Sequence, residues 1–121
     1  EISGMYLGNI QFDLGICTDV LCCYSKSIGM NMMLRSMGPK IIAVDEIGSD
    51  EDILAIHNLL NSGVKIIATI HCDTIENILQ KPFIENIVKE KIFDSYIILN
   101  NNKKTGDLYK IYDKELNIVW Q

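Results

Sequence analysis

The chain has 121 residues, 48% hydrophobic and 22% charged, with a net charge of -5, which is enough for one sizeable core. This acidic balance argues against binding nucleic acid through bulk charge, which needs clustered Lys and Arg, and Arg35 is the only arginine. No run approaches the roughly 18 apolar residues of a membrane span, and Cys17, Cys22, Cys23 and Cys72, without CxxC pairs, read as free thiols of a reducing cytoplasm rather than a disulfide or zinc framework.

Residues 4–19 show little periodicity and are punctuated by Gly4, Gly8, Asn9 and Gly15, so they read as loops with one short strand. Ser27 to Met37 carries Ile28, Met32, Met33 and Met37 near helical spacing, and Gly38-Pro39 closes it. Lys40-Ile-Ile-Ala-Val-Asp45-Glu46-Ile-Gly48 then reads as a strand buried on both faces that ends in two carboxylates. Ser49 is a predicted N-cap, with Asp50, Glu51 and Asp52 placed where negative charge complements the helix dipole. The helix it starts has an apolar stripe of Ile53, Ile56, Leu59 and Leu60 and ends at Gly63.

Val64 to Ile70 repeats the texture of the first strand, Lys65-Ile-Ile-Ala-Thr against Lys40-Ile-Ile-Ala-Val, and ends at His71. Two such strands joined by one helix predict a right-handed βαβ unit with a parallel sheet. A short helix is expected from Asp73 to Gln80, with Asp73 and Glu76 as a capping box. Another runs from Pro82 to Lys91 with Phe83, Ile87 and Val88 on one side. Ser95 to Leu99, Leu108 to Tyr112 and Ile118 to Trp120 read as strands, the last two as antiparallel additions at the sheet edge. No repeat or linker divides the chain.

The carboxylate pair carries the chemistry. Ligands of open α/β sheets bind at the carboxyl ends of the strands, and paired acids after a buried strand are costly unless they cap, pair or bind metal. Asp45 would hold Mg2+ through water, and Glu46 would position a water against the γ-phosphate of a nucleotide. A solvated strand end leading into a capped helix is the plainer reading of the same residues. His71 is either a hydrogen-bonded strand-end histidine or a neutral imidazole that senses the γ-phosphate. Arg35 either complements the dipole of its helix or reaches a phosphate or a neighbouring subunit. Thr69 reads as buried packing, the methionines as packing, and His57 is given no role. No GxxxxGK[ST] occurs in the 121 residues, so either this is not a nucleotide site or the phosphate cradle lies upstream of Glu1.

The ordered set Glu1-Ile-Ser-Gly, Thr18-Asp-Val-Leu, Gly29-Met-Asn-Met-Met-Leu-Arg35-Ser-Met-Gly-Pro39, Ile-Ile-Ala-Val-Asp45-Glu-Ile-Gly48, Gly63-Val-Lys-Ile-Ile-Ala-Thr-Ile-His71, Gln80-Lys-Pro82 and Lys91-Ile-Phe-Asp-Ser-Tyr96 resembles the stage III sporulation AA family. These are secretion-type, RecA-like P-loop ATPases of endospore-forming bacteria. The resemblance spans nearly the whole chain. It implies a three-layer α/β RecA-like core, here residues 1–121 as the C-terminal portion of one ATPase domain. Asp45-Glu46 would be its Walker B element, His71 its histidine box, Glu1 part of its acidic box, and Arg35 the arginine preceding Walker B. The family tends to carry arginine where Cys17 stands.

The resemblance further implies ATP and Mg2+ as cofactors and a homo-hexamer. Other stage III channel proteins would be its partners, and no nucleic acid is expected. Its place would be the mother-cell cytoplasm, peripheral at the outer forespore membrane, energising the mother cell-forespore channel. The start at Glu1 rather than Met suggests a fragment, expected to be inactive alone because it has no Walker A. A non-catalytic binding or scaffold module, or an ATP-dependent nucleic-acid protein, are the alternatives.

Overall fold

Helix α1 spans Lys26–Ser36, one residue earlier than its apolar spacing predicts. Met37 caps it through its amide on the Met33 carbonyl, and Gly38 follows at φ +57°, a left-handed conformation that glycine adopts without a Cβ clash. The protein is described here by a computed structural model covering residues 2–22, 24–72, 79–80, 82–100 and 107–121. Its secondary structure is mixed α/β, in two compact units, Glu1–His71 and Cys72–Gln121.

In the first unit, strand β1 (Ile41–Val44) pairs with β2 (Lys65–Ala68), and α2 (Asp50–Asn61) connects them. The pairing is parallel, as the βαβ reading requires, with Ile41 opposite Lys65 and Val44 opposite Ala68. The two textures are therefore paired one residue out of step. Ser49 caps α2 as expected, its hydroxyl accepting the Asp52 amide at 3.2 Å.

Helix α1 packs on α2, and α2 on β2. The core of this unit gathers Met30, Ile42, Val44, Ile47, Ile53, Ala55, Ile56, Leu59 and Val64. Ile56 and Leu59 have no exposed surface, and burying each stabilises the fold by about 1.5–3 kcal/mol. Asn58 Nδ2 also donates to Asn31 Oδ1 at 3.4 Å, a polar tie between the two helices.

The expectation that β1 is buried on both faces is corrected. Ile42 and Val44 are buried, whereas Ile41 is 56% exposed and its neighbour on the same face of β2, Ile67, 61%. Helix packing covers one face of this two-stranded pair. The alternation is structural and is hidden in a sequence that places apolar residues on both faces.

The opening segment contains one tight turn. Tyr6 and Asn9 exchange both backbone hydrogen bonds at 2.9 Å around Leu7 and Gly8, at φ +47° and +81°. Two successive positive φ angles make the primed turn that suits a right-twisted hairpin.

In the second unit, α3 (Pro82–Lys89) buries Ile84 and Ile87. It stops two residues before the expected Lys91, which takes φ +53° and donates its amide to the Val88 carbonyl at 3.1 Å. Strands β3 (Ser95–Asn100), β4 (Asp107–Asp113) and β5 (Ile118–Trp120) form an antiparallel sheet in the order β3-β4-β5. The last two were expected as antiparallel additions at the edge of the parallel sheet. With β3 they make a sheet of their own, because strands consecutive in sequence pair locally as hairpins without a crossover. The helix expected from Asp73 to Gln80 falls mainly on 73–78, and the turn after Asn100 on 101–106, both outside the described residues.

Candidate functional site

The carboxylate pair lies where β1 leaves the sheet, and β2 holds it there. The Thr69 amide donates to the Val44 carbonyl at 3.1 Å, extending the ladder one residue past β2. The chain then turns sharply. Glu46 has φ +42°, left-handed backbone in a residue with a Cβ, a conformation that costs on the order of 1–3 kcal/mol and persists where its surroundings over-determine it.

Three hydrogen bonds supply that constraint. The Glu46 amide donates to the Thr69 hydroxyl at 2.9 Å, and the next amide, Ile47, donates to the Thr69 carbonyl at 3.0 Å. From α1, Lys26 Nζ donates to the Glu46 carbonyl at 2.7 Å. Bonds worth about 0.5–1.5 kcal/mol each together match the strain.

The turn is equally fixed on its far side. Ile47 is buried in the core, and the Gly48 amide donates to the Asp52 carboxylate at 3.3 Å while the Asp52 amide donates to Ser49. The five residues from Asp45 to Ser49 are thus anchored from β2, α1 and α2.

The two carboxylates differ in setting. Asp45 is half-buried, and the Lys26 ammonium lies 3.8 Å from its Oδ1; Glu46 is exposed. Both Lys26 and Asp45 line a cavity of about 840 Å³ between α1, β1 and the opening segment, a size typical of small-molecule sites. Among the described residues no group of three or more His, Cys, Asp or Glu side chains could hold a metal ion. Asp45 can contribute one hard oxygen ligand, so a cation there would draw its other ligands from phosphate and water.

His71 is exposed and lies two residues past Thr69, at the edge where Asp45 emerges. Arg35 is exposed in the last turn of α1, about 14 Å along the helix axis from Lys26. Glu1 lies outside the described residues. Lys26 and Thr69 escaped the sequence reading. Thr69 is exposed rather than buried packing, and the signal for it was a hydroxyl at the end of a strand whose twin carries valine at the matching place. Nothing in the local sequence marks Lys26, which acts across twenty residues.

The chain matches the sequence family described as sporulation stage III, protein AA over residues 1–119. It belongs to that family. It is 37% identical over 119 residues to Stage III sporulation protein AA of Bacillus subtilis (strain 168), covering 98% of this chain and 39% of that protein. It is also 36% identical over 50 residues to Protein SEEDLING PLASTID DEVELOPMENT 1 of Arabidopsis thaliana, covering 41% of this chain and 7% of that protein. This member of the stage III protein AA family therefore spans about two fifths of the length of its Bacillus relative. No solved structure matches it, and among the described residues no helix is long and apolar enough to cross a membrane.

Proposed function

We propose that this chain carries the Walker B edge of a RecA-like P-loop ATPase that serves bacterial sporulation. The observation that carries the reading is the main chain of Glu46, held left-handed by Thr69 and Lys26 at the carboxyl end of a parallel strand beside Asp45. Strained, over-determined backbone collects at functional sites, and the carboxyl edge of parallel strands is where ligands of α/β sheets bind. Membership of the sporulation family supports the biological setting.

In this reading Asp45 presents a carboxylate oxygen to Mg2+, directly or through water. A half-buried carboxylate is a hard oxygen donor that suits Mg2+, and the cation would compete there with the Lys26 ammonium 3.8 Å away. Glu46 would orient a water for in-line attack and accept its proton as the water oxygen bonds to the γ-phosphorus and the bond from that phosphorus to the bridging oxygen breaks, releasing ADP and phosphate. Mg2+ bound with ATP would offset the charge that develops on the phosphoryl oxygens. His71, two residues past Thr69, would hydrogen-bond the terminal phosphate or the water. Arg35, at the far end of α1, and Glu1 would serve nucleotide contacts, Arg35 in its own subunit or a neighbouring one. The phosphate loop would come from another part of the protein, since the 121 residues contain no GxxxxGK[ST].

The wider role that follows is a homo-hexameric motor at the mother-cell face of the forespore membrane, working with the other stage III channel proteins. The test is Mg2+-dependent ATP hydrolysis by the full protein that contains this chain. Glu46→Gln should lower turnover by about 10²–10⁴-fold, the range of a general base, while nucleotide binding is kept. Turnover equal to wild type would overturn the reading.

A further inference from the structure

Building on the ATPase reading, we infer that Lys26 is a positioning residue that aims Glu46 through its main chain. A side chain leaves its Cα in a direction set by the two peptide planes on either side. Fix both planes, and φ, ψ and the Cβ direction are fixed.

At Glu46 the preceding plane is held by its amide, which donates to Thr69 Oγ1 at 2.9 Å. The following plane is held at one end by the Ile47 amide on the Thr69 carbonyl at 3.0 Å. A plane held only there can still pivot about that bond and swing its oxygen. Lys26 stops the pivot, donating to that oxygen at 2.7 Å from the first residue of α1.

The same ammonium stands 3.8 Å from Asp45 Oδ1, with the two side chains 34% and 23% exposed. A part-exposed pair at that distance is a weak ion pair, so the directed bond is the one to the carbonyl. With that bond lost, Glu46 is free to leave φ +42° for the negative φ that residues with a Cβ prefer. Its carboxylate then points away from the place Asp45 defines. Lys26 acts on the base, not on the substrate.

Two readouts in the full protein test the inference. In a nucleotide-free crystal structure, Lys26→Met should bring Glu46 to negative φ, and Lys26→Arg, which keeps a donor, should leave it positive. In Mg2+-dependent ATP hydrolysis, Lys26→Met should lower kcat about tenfold with KM for ATP within about threefold, and Lys26→Arg should recover most of the loss. Tenfold corresponds to the barrier difference expected for one misdirected catalytic contact. An unchanged Glu46 φ in Lys26→Met overturns the inference whatever the kinetics, and so does a changed φ with unchanged kcat. A Glu46→Gln control separates the two levels: if that variant turns over normally, the ATPase reading falls, and the crystallographic φ still decides whether Lys26 sets the Glu46 main chain.

Discussion

The hydroxyl of Thr69 accepts the backbone amide of Glu46 at 2.9 Å, joining the end of one parallel strand to the first turn after the other. Thr69→Val keeps the shape and removes the acceptor. We expect it to cost about 1 kcal/mol, the usual net worth of such a bond, and Thr69→Ser to cost less. Urea unfolding of the two variants against wild type checks this, and equal midpoints for Thr69→Val and wild type would count against the bond.

Glycine normally weakens a fold by enlarging the freedom of the unfolded chain. At Glu46 the sign should change, because φ +42° penalises any residue with a Cβ. Relief of about 1–2 kcal/mol of left-handed strain against roughly 0.5–1 kcal/mol of added chain entropy leaves Glu46→Gly neutral to slightly more stable. Denaturant midpoints should show this. A loss above about 1 kcal/mol would mean that the side chain, and not the backbone, sustains the turn.

Leu59 and Leu54 lie on the same helix with 0% and 64% of their surface exposed. Leu59→Ala should cost about 2–5 kcal/mol, transfer and cavity terms together, and Leu54→Ala no more than about 0.5 kcal/mol. Thermal melts of the pair test whether α2 buries the face described.

Tyr96 packs edge-on against Phe93 with ring centres 6.3 Å apart, and its hydroxyl is buried with no hydrogen-bond partner among the described residues. Burial pushes the phenol above its usual range. Tyr96→Phe removes an unsatisfied group and keeps the ring. We expect stability unchanged or raised by up to about 1 kcal/mol, and a clear loss in calorimetry would reveal a partner for the hydroxyl.

The turn from β4 to β5 should loosen in acid. The Asp113 carboxylate accepts from the Asn117 side chain at 3.1 Å and from the Asn117 and Glu115 amides at 2.9 Å, and these bonds hold its pKa below the usual value, the side-chain bond of Asn117 most of all. A folded value lower than the unfolded one gives stability that is present above the unfolded carboxyl range, about pH 4, and is lost as pH falls through the folded value. Trp120, the single tryptophan, sits on β5 opposite Ile111 and reports the hairpin by fluorescence. Its acid transition should move to higher pH when Asn117 becomes Ala.

Local signals made much of the first unit readable. Gly38-Pro39 ends α1, Ser49 with its following acids starts α2, and the paired apolar runs forecast two parallel strands. Apolar runs do not reveal how many faces are covered, so the exposure of Ile41 and Ile67 was hidden. Asp45 and Glu46 stand out in the sequence because carboxylates interrupt an apolar strand. Lys26 does not, because its directed bond is to a main-chain carbonyl, which leaves no trace in sequence, and for Thr69 the hint is a hydroxyl where the twin strand has valine. The β3–β5 sheet was read as strands but assigned to the wrong neighbour, since strand texture records burial and not partner.

Lys26 opens helix α1 and Arg35 nearly closes it. A hydrogen-bonded helix of this length is a stiff strut, so a load applied at the Arg35 end along the axis arrives at Lys26 as displacement, not as bending. The carbonyl gripped by Lys26 would be pulled with it. If Lys26 aims Glu46 as inferred, the helix would join the exposed Arg35 end to that aim, about 14 Å apart.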